Sequence, residues 1–113
     1  MKKIIFATLL SALPIMANAY VEKTNAVIRI LNKDAGKVVE QTLSVGQSIN
    51  IEKLNITVRN CKQSDPFDAE DHFAFIEISD DKNQVFGGWM TKNNPGQNPL
   101  QHPDYDVWLV KCN

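Results

Sequence analysis

From Ala26 onward, apolar residues recur at every second position in short runs, and turn-forming residues separate the runs. A period of two puts alternate side chains on opposite faces of an extended chain, so these runs read as half-buried strands rather than helices. Ala26, Ile28 and Ile30 share a phase that Arg29 opposes, and Asn32 to Gly36 supplies a polar hairpin turn ending in glycine. Val39, Gln41, Leu43 and Val45 form a return strand closed by Gly46. Ile49 and Ile51 begin another strand, which turns at Glu52-Lys53 into Leu54, Ile56 and Val58. Phe73 to Ile78 is apolar in nearly every position, which predicts a central strand covered on both sides. Val85 to Met90 and Val107 to Cys112 complete the set, with Gly87-Gly88 pointing to a bulge or to a close approach of another backbone. The expected fold is all-β: one small antiparallel sandwich or barrel of about seven strands.

The first residues set the compartment. Met1, Lys2 and Lys3 are followed by an apolar run from Ile4 to Met16 and by Ala17-Asn18-Ala19, a small-residue site suited to signal peptidase. The run is well short of the roughly 20 residues of a membrane-spanning helix and contains Pro14, so it reads as a cleaved export signal. Residues 1–19 are therefore expected to be removed after Ala19, leaving residues 20–113 as a single periplasmic domain with no transmembrane segment.

Export decides how the two cysteines are read. In an oxidising compartment Cys61 and Cys112 become a structural disulfide, because they lack Cys-x-x-Cys spacing and are too few for a zinc site. Cys61 stands out of phase with Leu54, Ile56 and Val58, so either a bulge precedes it or the bridge lies on the outer face of the sheet. The formal charge of -1 and the scattered Lys and Arg residues argue against nucleic acid as a partner.

Several segments in order resemble the domain of unknown function 2155 family (DUF2155), small exported bacterial proteins. They are Leu54-Asn55-Ile56-Thr57-Val58-Arg59-Asn60-Cys61, Phe73 to Ile78, Val85-Phe86-Gly87-Gly88-Trp89-Met90, and above all His102-Pro103-Asp104-Tyr105-Asp106-Val107-Trp108. The resemblance covers nearly all of the mature chain and implies an exported single domain. It implies no activity. The chain departs from the family's pattern after Met90, where Thr91-Lys92-Asn93-Asn94 replaces a more apolar stretch.

The candidate functional cluster is Trp89 with His102, Asp104, Tyr105, Asp106 and Trp108, which pairs ionisable groups with aromatic surface beside a loop. In the structural reading the tryptophans are core, Tyr105 is a corner residue whose hydroxyl ties the loop to backbone, and Pro103 and Asp106 shape the entry into the last strand. In the binding reading some of these aromatics stay exposed as a platform for a sugar ring or a partner side chain. In the catalytic reading His102 is a general base oriented by Asp104 or Asp106, although Ser44, Ser48, Ser64 and Ser79 sit in no nucleophile motif.

The acidic loop Asp65, Asp68, Glu70, Asp71 fits no calcium-loop spacing and reads as solvated, and Asn55-Ile56-Thr57 matches a glycosylation pattern by chance. Neither metal nor cofactor is expected. The expectation is a non-enzymatic binding or structural module whose partner is an envelope protein or a cell-wall glycan. An inhibitor of an envelope-degrading enzyme such as lysozyme, and a small hydrolase using His102, are the alternatives.

Overall fold

The computed structural model describes residues 19–81 and 83–113. The expected export signal falls on residues 1–19 and so lies, apart from Ala19, outside the described residues. Among the described residues eight strands follow one another: β1 (Val21–Glu22), β2 (Asn25–Asn32), β3 (Lys37–Ser44), β4 (Ser48–Ile51), β5 (Leu54–Gln63), β6 (His72–Asp80), β7 (Asn83–Thr91) and β8 (Tyr105–Cys112). The strand beyond the expected seven is β1, two residues with no alternation to betray them.

Two antiparallel sheets form. In the larger, the order is β1-β5-β6-β7, with β4 sharing an edge of β5 with β1; in the smaller, it is β3-β2-β8. Their inner faces supply the core. Ala26, Ile28, Ile30, Leu43, Tyr105, Val107 and Leu109 of the small sheet meet Leu54, Ile56, Val58, Ala74, Ile76, Ile78, Phe86 and Met90 of the large one. Each fully buried Ile, Leu or Val contributes about 1.5–3 kcal/mol of hydrophobic stabilisation. The expected all-β sandwich is the architecture found.

The phase problem at Cys61 is solved by a bulge. Val58 pairs with Ile76 but Asn60 pairs with Phe75, so Arg59 is the unpaired extra residue on β5 and Cys61 is turned inward. A second slip does the same for its partner: Ile28 pairs with Leu109 and Val27 with Lys111, which leaves Val110 as the extra residue and turns Cys112 into the core. The Cys61–Cys112 disulfide then ties β5 of one sheet to β8 of the other, with the Cα atoms 5.6 Å apart.

Three local expectations need correction. β6 is central in its sheet but covered on one face only: His72, Ala74, Ile76 and Ile78 are buried, whereas Phe73 and Phe75 are half-buried on the outer face. Their phase also carries Glu77 and Ser79, which need water. The slip in β7 falls at Val85, because Ile78 pairs with Phe86 and Ser79 with Gln84; Gly87 and Gly88 are in regular register. What a Cβ would meet at either is a side chain and not another backbone: the Gln84 amide at Gly87, and Asn98 Nδ2, 2.9 Å away, at Gly88, both ends of flexible side chains. Finally, β3 is an edge strand that enters the core only at Leu43, with Val39 half-buried and Gln41 exposed, and Val45 is exposed beyond its end.

Candidate functional site

The six residues expected to form one cluster are divided among three places. His102 and Tyr105 belong to an interior network, with Asp104 exposed between them. The His102 ring is nearly buried; its Nε2 lies 2.7 Å from Asp80 Oδ2, and its Nδ1 accepts from the Asp104 N–H at 3.0 Å. Accepting at Nδ1 fixes the neutral tautomer that donates from Nε2 to the carboxylate. Neither ring nitrogen is then free to act as a general base. The Lys33 ammonium donates to the His102 carbonyl at 2.9 Å, and the Lys33 N–H to the Asp104 carbonyl at 2.8 Å, so the loop that carries the histidine is anchored to the β2–β3 turn.

Tyr105 is buried on β8, and its hydroxyl donates to Glu52 Oε1 at 2.9 Å. The same oxygen accepts from Asn32 Nδ2 at 2.7 Å. Glu52 occupies the two-residue turn between β4 and β5 with φ 55°, a strained conformation for a residue with a side chain, which these bonds help to hold. Burial, and then the hydrogen bond to Glu52, push the Tyr105 hydroxyl above the ordinary phenol value of 10.0. With the folded value above the unfolded one, this contribution is complete below about pH 10 and is lost as pH rises through the folded value. Tyr105→Phe is therefore expected to cost about 1 kcal/mol at neutral pH and to flatten the alkaline fall in stability, measured by urea unfolding from pH 7 to 11.

Trp89 and Trp108 face away from each other. Trp108 lies on the outer face of the small sheet opposite Arg29, beside Asp106. A groove of about 370 Å³ runs there between Trp108, Asp106 and the loop residues Pro95, Gly96 and Pro99. Trp89 lies on the outer face of the large sheet opposite Phe75. Asp34, Glu52 and Asp104 line a separate groove, but no group of His, Cys, Asp or Glu among the described residues is arranged to hold a metal ion.

Around Trp89 the outer face of the large sheet gathers aromatic side chains from β6 and from the chain before β1, which lie far apart in sequence. Phe75 meets Trp89 edge-on at 5.5 Å between ring centroids, and Phe73 meets Tyr20 likewise at 5.5 Å. Lys62 joins the two pairs, its ammonium 4.5 Å from the Tyr20 ring centroid and 4.8 Å from that of Trp89. Tyr20 is 43% exposed and Trp89 39%. Asn60, the neighbour of Phe75 on β5, has a buried side-chain oxygen with no hydrogen-bond partner. Phase was the available signal, since Phe73 and Phe75 share theirs with Glu77 and not with Ile76.

The acidic loop between β5 and β6 is cross-braced. Ser64 Oγ donates to the Ala69 carbonyl and accepts from the Asp71 N–H, each at 2.9 Å. Asp71 Oδ1 accepts from the N–H groups of His72 and Asn93, at 2.8 and 3.0 Å. Asp65 Oδ1 caps the Phe67 N–H at 2.8 Å. At one root of the loop, buried His72 accepts from the Cys112 N–H at Nδ1 and donates from Nε2 to Glu70, both at 3.0 Å, and the bond to His72 holds the Glu70 carboxyl below its ordinary value. At the tip, Phe67 is 96% exposed.

Compared with known proteins, residues 26–112 match the family DUF2155, described as an uncharacterized protein conserved in bacteria. An uncharacterized protein of Rickettsia prowazekii (strain Madrid E) is 26% identical over 94 residues, a match that covers 79% of this chain and 61% of the relative. The chain thus spans under two thirds of the length of that curated relative. No solved structure matches.

Proposed function

Because this chain belongs to the DUF2155 family of conserved bacterial proteins, we propose that it is an exported, periplasmic, non-enzymatic module that binds cell-wall glycan through the outer face of its large sheet. The observation that carries this reading is the aromatic strip of Tyr20, Phe73, Phe75 and Trp89 on a sheet face turned to solvent. Large aromatics are usually buried, and a row of them on a rigid sheet, its end rings Tyr20 and Trp89 left exposed, offers contact area to sugar rings at low entropic cost. The Lys62 ammonium, set between two of the rings, supplies the counter-charge for a carboxylate. The favoured ligand is therefore a glycan strand bearing carboxylates.

Two further features support the reading. Neither nitrogen of His102 is free, which disfavours the hydrolase alternative. Cleavage after Ala19 would make Tyr20 the first residue of the mature chain and add its α-ammonium beside the strip.

Co-sedimentation of the mature protein with purified insoluble sacculi tests the proposal. The wild type is expected to pellet with them, and Trp89→Ala, which removes half-exposed surface, is expected to keep its thermal unfolding curve while losing at least about tenfold in affinity. Equal pelleting by the two proteins, or none by the wild type, would refute it.

A further inference from the structure

Phe67 is the most exposed large apolar side chain among the described residues, and it stands on a loop whose backbone is held at four places by Ser64, Asp65 and Asp71. A solvated loop gains nothing from a rigidly presented phenyl ring, whereas an interface does, because a preorganised aromatic anchor gives up little entropy on binding. Asp65, Asp68 and Glu70 flank the ring, so its complement is an apolar recess with a cationic rim.

The same molecule carries such a recess. Pro95, Trp108 and Val110 line a groove of about 260 Å³ on the outer face of the small sheet, together with Lys92 and with Arg29, whose guanidinium is paired with Glu40 at 2.7 Å. Knob and recess are neighbours. Asn93 bonds the loop through Asp71 Oδ1 and the Glu70 carbonyl, at 3.0 and 2.8 Å, and the Lys92 N–H donates to the His72 carbonyl at 2.9 Å, so a segment of a few residues joins the two. A patch in which an apolar knob flanked by carboxylates stands beside an apolar recess flanked by a lysine is self-complementary under a two-fold rotation.

We propose that two copies of this chain pair about a two-fold axis, with Phe67 of each seated against Trp108 in the other's groove and the acidic loop facing Lys92. The contact lies apart from the aromatic strip, so the dimer would present two strips at once, but it does not depend on what the strip binds.

Sedimentation velocity of the mature protein from about 2 to about 500 µM tests it. A reversible dimer is expected, with a dissociation constant in the micromolar range given only two anchors. Phe67→Ala, at a fully exposed position, leaves the fold intact and should weaken the dimer at least tenfold. Asp68→Lys should weaken it as well, and combining it with Lys92→Glu should recover part of the loss. A wild type that stays monomeric throughout this range overturns the proposal, as does a dimer indifferent to Phe67→Ala. Adding sacculi-derived glycan fragments should leave the dimerisation constant unchanged, which keeps this result separate from the glycan-binding test.

Discussion

Replacing Cys61 and Cys112 together by alanine is expected to lower the stability of the domain by about 4 kcal/mol. The two residues are 51 apart in sequence, and closing a loop of that length removes roughly that much chain entropy from the unfolded state. For a domain of this size the loss is a large part of the typical total of 5–15 kcal/mol. Two features raise the dependence further. Both cysteines reach the interior only through bulges, at Arg59 and Val110, which give up ladder hydrogen bonds. The buried His72 ring also accepts from the Cys112 N–H, so loosening β8 exposes a second polar anchor. Urea unfolding with and without reductant measures the effect; a midpoint that reduction does not move would show that packing alone holds the sheets together.

The second large effect separates the two faces of β6. Ile76 is fully buried between the sheets, and Ile76→Ala should cost about 2–5 kcal/mol through lost transfer energy and the cavity left behind. Phe75→Ala removes a larger side chain from the next position, yet it should cost less because the ring lies half-buried on the outer face against Trp89. Its effect should instead appear in glycan binding. If Phe75→Ala proved as destabilising as Ile76→Ala, the outer face of the large sheet would be covered in solution by something that stabilises the fold, and it would not be an open platform.

The sheet framework was legible because it rests on local rules. Alternation in β2 and β5, glycine at the turns near Gly36 and Gly46, and the paired cysteines each act over a few residues or through one covalent bond. The candidate site was legible only in part. His102, Tyr105 and Trp89 have polar or aromatic chemistry that catches attention, but their roles depend on partners distant in sequence: Asp80 for His102, Glu52 for Tyr105 and Phe75 for Trp89. Nothing local distinguishes a histidine with both nitrogens occupied from one with a free nitrogen. The apolar density of Phe73 to Ile78 also concealed a division of labour, in which Ala74, Ile76 and Ile78 build the core while Phe73 and Phe75 build a surface. Phe67 gives no signal of its own because a polar, proline-broken segment reads as loop, and the bracing that stiffens it comes from Ser64 and from Asn93 on the far side of β7.

The most direct test of the proposed recognition face uses the two tryptophans as reporters. In Trp108→Phe the remaining indole is Trp89 on the outer face of the large sheet, and in Trp89→Phe it is Trp108 on the outer face of the small one. Each variant is titrated with soluble, carboxylate-bearing glycan fragments from sacculi while its emission spectrum is followed. A saturable blue shift in Trp108→Phe, with no change in Trp89→Phe, is the predicted result. A response confined to Trp89→Phe would move recognition to the groove beside Trp108 and contradict the assignment of the aromatic strip, and silence in both would remove glycan as its ligand.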